Sequence, residues 1–510
     1  MNTPASALDP GLVALARRAA EFESRGAWAE AIAAWSSAVE THPSFLPARL
    51  GLAQALIRAG KPADALPVLG RISAAAPNLP AVWLALAVAQ SMLGRHDLAV
   101  DNAKRAAALA PNVAAVHAGL GDVLRQAGRL ADAASAYRTA VAKAPDDPEP
   151  LNKLSVIERA EGRLGAAAKL LRHAFGRAPQ HPYVRVNLGT LELELGHEAE
   201  GRALLEPALV DPRVPRDARE EASDALAAVA EHAAMAAPIA AALAARDPAP
   251  IDAALRSSNR STGVDSLLLD RFRAIAEQLA SAEPIDRMFA PGAPRASAWP
   301  AIEAFHNFHT LRDREDLDRC VALVAHPDRA RSEDDLDIVS YARVVADGSH
   351  EPPDGADAVA LEAWLRWRHA ELVGHRPSLR PGQVKLVNNL IGSAPDIPLT
   401  RSGQFPEALR TVIADLAPRV PPGAWRAVYL YAALIRMHPF ADGNGRVMRL
   451  CLNRQLVRAG LFPHLRAEGG DGAVMHLAQR GDFAPLVEHL AEGSRRGAAL
   501  DAEWLEREAR

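Results

Sequence analysis

The chain has 510 residues, 58 basic against 62 acidic side chains for a net charge of −4, and 49% hydrophobic residues. That length accommodates two to four domains, and the near-balanced charge gives no general case for a nucleic-acid or membrane partner. With only two cysteines, Cys320 and Cys451, a disulfide framework and a cysteine-based zinc site are excluded, and a cytoplasmic location is expected, with export as an effector lacking a cleaved signal left open. The first residues lack a basic start followed by an apolar core, so no signal peptide is expected, nor any later run of ~18 apolar residues able to span a membrane. Abundant alanine with only 5% aromatics suits close-packed helices.

Residues 1–11 are expected to be a flexible N-terminus. From 12 to 215 the sequence repeats. Glycines fall at 26, 60, 94, 128, 162 and 196, each 34 residues after the last. Prolines at 43, 77, 111, 145 and 179 and alanines at 31, 65, 99, 133 and 167 keep the same step, with Pro212 one residue early. A small residue precedes each turn: Ala19, Ala53, Ala87, Gly121, Ser155 and Gly189. The pattern reads as one helical hairpin per repeat, with the glycine turning the chain, the small residue letting two helices approach and the proline ending the second helix. The Ala column breaks at Gly201, as in a worn terminal repeat. The pattern resembles the tetratricopeptide repeat (TPR). The resemblance implies a six-repeat solenoid whose groove holds a protein or peptide partner, or which serves as a spacer or dimerisation arm without one.

Residues 216–339 read as capping and connector helices. Arg219–Ala245 is alanine-rich and interrupted at Pro238, Pro248 and Pro250 mark a boundary, and Asp265–Leu279 forms a further helix. The stretch 283–300 is a loop. His306 and His309 share a helix face, but no third ligand stands at a recognisable spacing, so they read as the edge of a half-buried helix rather than a metal site. The charged run Arg312–Arg319 reads as a solvated face.

Residues 340–495 form the candidate catalytic domain, followed by a tail at 496–510. Asp357 caps a helix to Leu372 in which Trp364 and Trp367 are core. Arg380-Pro381-Gly382-Gln383 opens a turn leading toward a short β-hairpin, a helix runs from Pro406 to Leu416, and another from Trp425 to Met437. Then comes His438-Pro439-Phe440-Ala441-Asp442-Gly443-Asn444-Gly445-Arg446-Val447-Met448-Arg449. The helix from Arg446 to Arg458 that follows buries Leu450, Leu452 and Leu456, so the glycines lie at a helix N-terminus, where unpaired amides and the helix dipole favour anions and phosphate above all. His438 at a loop start can act as a general base. Phe440 turns inward. Asp442 offers a hard oxygen for Mg2+. Gly443 and Gly445 let amides approach phosphate, Asn444 can donate to an anion, and Arg446 and Arg449 can hold further phosphates.

This stretch resembles the motif of the Fic family (filamentation induced by cAMP), His-Pro-Phe-x-Asp/Glu-Gly-Asn-Gly/Lys-Arg-x-x-Arg, at every fixed position. Pro381-Gly382-Gln383 resembles the start of the family's flap, and Gly481–Leu486 its late helical segment. The resemblance implies an all-α chain: a TPR solenoid, then a helical Fic domain with a small β-hairpin flap. It implies a nucleotidyltransferase that moves AMP from ATP to a Ser, Thr or Tyr hydroxyl of a target protein and releases pyrophosphate. His438 would deprotonate the hydroxyl and Asp442 hold Mg2+. Phe440, Gly443, Asn444, Gly445, Arg446 and Arg449 would seat the nucleotide, and a flap near Val387–Gly392 would clamp the target by strand addition. Members using UTP or CDP-choline, or removing AMP, remain alternatives, as does a TPR scaffold with an inactive Fic domain. The family's inhibitory segment, Ser/Thr-x-x-x-Glu-Gly/Asn, has no match: Ile157, His464 and Glu488 stand four residues before the glutamates at 161, 468 and 492. Arg449 is therefore expected to be free for an outer phosphate, with Glu492 or another chain as the looser candidates for its inhibition.

Overall fold

The computed structural model describes residues 9–258, 266–307, 314–353, 357–386, 404–466 and 471–510. Contacts divide it into two compact units, Met1–Leu188 and Gly189–Arg510.

The repeats fold as paired helices: α1 (Pro10–Ser24) with α2 (Trp28–Thr41), α3 (Leu46–Arg58) with α4 (Pro62–Ala75), α5 (Pro80–Met92) with α6 (His96–Leu109), α7 (Ala114–Gln126) with α8 (Leu130–Lys143), α9 (Pro148–Ala160) with α10 (Leu164–Arg177), and α11 (Pro182–Glu194) with α12 (Glu198–Val210). All six turn glycines have positive φ, between 69° and 86°, a region that costs a residue with a Cβ. The alanines at 31, 65, 99, 133 and 167 are each fully buried. The small-residue column is a contact requirement: a Cβ on Gly121 would meet the Tyr137 ring at 2.5 Å. Gly94 has nothing within 4 Å of a built Cβ, so Gly94→Ala isolates the backbone term. It should lower the stability of the first unit by about 1–2 kcal/mol, read as a shift in its thermal or urea midpoint. α1 starts at Pro10 behind an Asp9 cap, two residues earlier than the repeat boundary expected from sequence.

In the second unit, α13 (Arg216–Ala245) runs unbroken through Pro238, so the expected interruption is absent. It is also long and apolar enough to cross a membrane by length and composition, which corrects the expectation that no such run exists. Alanine is the reason: too small to look strongly apolar residue by residue, it adds up over a long window. α13 is docked through polar contacts, with Glu231 on the Arg366 guanidinium at 2.6 Å and His232 Nε2 on the Val384 carbonyl at 2.6 Å. Then follow α14 (Ala249–Ser257), α15 (Ser266–Leu279), α16 (Trp299–Asn307), α17 (Arg314–Ala325), α18 (Glu333–Ala346), α19 (Ala358–Val373), α20 (Phe405–Arg410), α21 (Ala424–Met437), α22 (Asn444–Arg458), α23 (Gly472–Ala478) and α24 (Ala484–Glu508).

Asp357 caps α19 through Ala360 N at 3.0 Å, as the sequence indicates. α19 is buried on nearly every face, Trp364 and Trp367 included. Its Arg366 is fully buried and offset by Glu362 and Glu231. The helix expected over 406–416 is instead α20 followed by a π-helical turn, Thr411–Leu416, and a 3-10 turn, Ala417–Arg419. α24 carries the chain through 496–508, so those residues continue a helix rather than forming a separate tail. The boundary drawn at 340 falls inside α18. The described residues hold no strand, only one bridge, Pro291 to Leu461; the expected flap at 387–392 lies outside them.

Candidate active site

The motif loop joins α21 to α22. His438 is the C-cap of α21, and its φ of 48° and ψ of 58° place it in the left-handed region, one of three non-glycine residues with positive φ among those described. Such strain persists where surrounding contacts over-determine it. Here they do. Pro439 O accepts from Lys385 N at 2.8 Å. Phe440 is fully buried and stacks on His369, with centroids 3.9 Å apart and planes 2° from parallel. His369 takes a hydrogen bond from Gly382 N at Nδ1, 2.9 Å, and its Nε2 lies 2.9 Å from the Asp442 carbonyl. Those partners require an accepting Nδ1 and a donating Nε2–H, which is the neutral ring. Burial pushes its pKa down to about 3, so it stays neutral. One imidazole thus ties α19, the Gly382 turn and the loop together.

Gly443, at φ 79°, is the N-cap of α22, and no side chain caps that first turn. A Cβ there would also meet His369 at 3.2 Å. The Asn444 side chain is 2% exposed; its Oδ1 accepts from Phe440 N at 3.0 Å and its Nδ2 donates to Phe440 O at 2.8 Å. This corrects the expected role: the Asn444 amide group is a loop clamp and is not turned toward an anion. Asp442 has a 63% exposed side chain; one oxygen accepts from Gly443 N at 2.6 Å, while the other stands 3.6 Å from Arg446. Gly445 gives space to Arg449, whose Nη1 would lie 3.2 Å from an added Cβ.

Both motif arginines are engaged. Arg446 pairs with buried Asp337 of α18 at 2.6 Å, and Asp337 also holds Arg376 at 2.7 Å. Arg449 is 8% exposed; its Nε donates to Asn307 of α16, and its Nη1 stands 3.7 Å from Asp471. The expectation of a free Arg449 is therefore corrected. What opposes it is an amide and an aspartate, while Glu492 is exposed on α24. A cavity of about 160 Å³ opens beside Arg449, lined also by Tyr431, Arg436, Arg466, Asp471 and His476. A larger cavity of about 520 Å³, with Asp286, Arg426 and Arg458 in its wall, contains no motif residue.

His438 is half-buried, and burial first, then the Lys385 ammonium, push its pKa down to about 4. At neutral pH it keeps its lone pair. Lys385 is 2% exposed with no hydrogen-bond partner on Nζ among the described residues, and burial, followed by Arg436, pushes it down to about 7. Its folded pKa lies below the unfolded value, so the unfolded chain binds more protons between about pH 7 and the ordinary lysine value of about 10.4. Stability then rises with pH across that window. Lys385→Met should be more stable than the parent at pH 7, and the difference should shrink as pH climbs toward 10, measured by urea midpoints at several pH values. His306 lies half-buried in the last turn of α16, with its pKa pushed down by burial to about 4; His309 lies outside the described residues.

Against known proteins, the Fic/DOC family model matches residues 361–456, and tetratricopeptide-repeat models match 24–89, 84–148 and 158–214. The chain joins tetratricopeptide repeats to a Fic domain. Among curated relatives, protein adenylyltransferase fic-1 of Caenorhabditis briggsae is 29% identical over 135 residues, 25% of each chain. The fic-1 protein of Caenorhabditis elegans is 40% identical over 74 residues, 14% of each chain. Protein adenylyltransferase Fic of Drosophila persimilis is 39% identical over 69 residues, 13% of this chain and 14% of that one. The match thus spans a quarter or less of these relatives' lengths. Among solved structures, a thermophilic TPR protein of Thermus thermophilus aligns over 36% of this chain and 99% of its own at 22% identity, TM-score 0.34. YrrB, described as a TPR protein with an unusual peptide-binding site, aligns over 37% of this chain and 97% of its own at 16% identity, TM-score 0.29.

Sequence reasoning missed the Fic domain's supporting residues, His369, Asp337, Asn307, Lys385 and Asp471. Each lies outside the motif, on another helix or loop, and no local spacing marks it.

Proposed function

We propose that the Fic domain is a protein adenylyltransferase that moves AMP from ATP to a target hydroxyl, and that the repeats present the target protein or another protein or peptide partner. The observation that carries this is His438, neutral at the C-cap of α21, five residues before Gly443, the N-cap of α22. A site for binding alone has no need of a base there. His438 takes the proton of the Ser, Thr or Tyr hydroxyl, whose oxygen bonds to the α-phosphorus as the bond to the pyrophosphate oxygen breaks. The amides at Gly443 and Gly445 and the guanidiniums of Arg446 and Arg449 orient and neutralise the phosphates, which is most of what such transfers require.

The residues fit Mg2+: Asp442 is an exposed carboxylate with one oxygen on Gly443 N and the other 3.6 Å from Arg446, beyond hydrogen-bonding range, and Mg2+ binds through one or two carboxylates plus substrate phosphates. When bound, the ion supplies charge neutralisation on the phosphate oxygens. A polyanion next to His438 would raise its pKa from about 4 toward the operating pH.

Nothing in the loop reads the nucleobase, so the donor is tested directly. Incubation with α-labelled ATP, α-labelled UTP or labelled CDP-choline should label protein from ATP alone. Label from UTP or CDP-choline instead would change the donor and keep the site; label from none, with the fold intact, would sink the transferase reading.

A further inference from the structure

Behind Arg449, three elements bring a second set of ligand-type groups together. His464 lies in the loop after α22, Asp471 caps the start of α23, and His489 lies on α24. One ligand atom from each falls within 4.8 Å of the others. Both histidines aim Nε2 at the same carboxylate oxygen, Oδ1 of Asp471: His489 at 3.0 Å and His464 at 3.8 Å. The second distance is too long for a hydrogen bond, and His464 Nε2 is a buried atom with no hydrogen-bond partner among the described residues, on a side chain that is 2% exposed. An orphaned buried nitrogen is costly unless something fills the gap it faces.

The surroundings are those of a metal site. His464 Nδ1 lies 3.3 Å from the Leu490 carbonyl; a proton on Nδ1 serves that contact and leaves the lone pair on Nε2. The other oxygen of Asp471 accepts from the Tyr431 hydroxyl at 2.6 Å, which fixes the carboxylate and leaves Oδ1 for the histidines. Ligating histidines and carboxylates are held by outer hydrogen bonds of this kind. Room for the ring is built in as well: a Cβ on Gly493, one turn after His489, would meet His464 Nδ1 at 2.1 Å.

We propose that His464, Asp471 and His489 form a site for a divalent transition metal, Zn2+ by its chemistry, distinct from the Mg2+ position at Asp442. Two imidazoles and one carboxylate are a common zinc donor set that leaves a fourth position for solvent, and hard-cation sites are built from oxygens instead. Ligand bonds of about 2.0–2.2 Å need the three groups to draw slightly together, and His489, the half-buried member, supplies the movement. As the ion enters, the proton that His489 Nε2 directs at Asp471 is exchanged to Nδ1, which leaves the Nε2 lone pair for the metal. The ion would pin α23 and α24 to the loop that follows α22.

The test is equilibrium dialysis of the full-length protein against Zn2+, with metal per chain counted by mass spectrometry and thermal midpoints followed with and without the ion. The parent should hold one more equivalent than His489→Ala and show a zinc-dependent rise in midpoint that this variant lacks. His489→Cys, which keeps a zinc ligand but not the imidazole, should retain that equivalent, and Asp442→Ala should leave it unchanged. Tyr431→Phe should weaken binding about 10- to 100-fold. The proposal is overturned if the parent holds no more zinc than His489→Ala while both remain folded, or if Asp442→Ala removes the equivalent. It is also overturned if His489→Cys behaves as His489→Ala does, because a purely structural hydrogen bond to Asp471 predicts that result.

Discussion

His438→Ala should reduce AMP transfer by about 10²- to 10⁴-fold, the range a positioned general base contributes, without lowering the thermal midpoint. The second half of that expectation follows from the backbone. His438 sits in the left-handed region at φ 48°, where the cost arises from the Cβ that alanine also carries, so the strain changes little. Most of the loop's anchoring lies in Phe440, Asn444 and His369 and is untouched. Binding of ATP should change little, because the phosphates are held by amides and guanidiniums. The loss therefore belongs in the turnover rate and not in nucleotide affinity. In the parent, kcat/KM should stay flat from about pH 8 to about pH 6, because it reports the free protein, in which the His438 pKa is about 4. A calorimetric titration with ATP beside a labelling time course checks both parts.

The second large effect is on stability. Phe440→Ala removes a fully buried ring stacked on His369 and should destabilise the Fic-domain unit by about 3–5 kcal/mol, the usual cost of emptying a buried aromatic site. The damage should extend to chemistry. Without the ring, His369 loses the face that keeps it aligned with Gly382 and Asp442, and the loop that sets His438 and Asp442 loosens. Phe440→Leu, which refills part of the volume, should recover about half of the stability but less of the activity, because it cannot restore the stack. Urea unfolding and labelling rates on the same preparations separate the two losses. Equal recovery of both would mean that packing alone matters.

How much of this was legible in the sequence depends on how local the cause was. The repeats were legible because each constraint recurs at a fixed step: the turn needs a glycine at positive φ, and the buried alanines at 31, 65, 99, 133 and 167 need the same small volume each time. The inward turn of Phe440 was also legible, and so was a helix opening at the glycines, although it starts at Asn444, two residues before the expected Arg446. The length of α13 was not, because a proline within a helix costs one hydrogen bond and a clash that the rest of the helix can absorb. Nor was the state of the two arginines. Their spacing announces phosphate, but their partners are Asp337, more than a hundred residues away, and Asn307 and Asp471, which no motif marks. The Asn444 amide was misjudged for a related reason. Asparagine is equally suited to an anion and to its own loop, and only the fold decides that it clamps Phe440 at both ends.

The engagement of Arg446 and Arg449 also bears on how the domain would work. A triphosphate, on the proposed function, would have to compete with Asp337 and Asp471 for them, or share them. The carboxylates hold the guanidiniums in place at the helix start, and the same charges would oppose a nucleotide unless Mg2+ and phosphate together outweighed them.

The most direct measurement is mass spectrometry of a lysate incubated with the full-length protein, Mg2+ and ATP, in parallel with His438→Ala. The account predicts at least one protein other than this chain that gains AMP on a Ser, Thr or Tyr hydroxyl with the parent and not with the variant. AMP incorporation that is equal in the two, or absent from both while each binds ATP and remains folded, would contradict it.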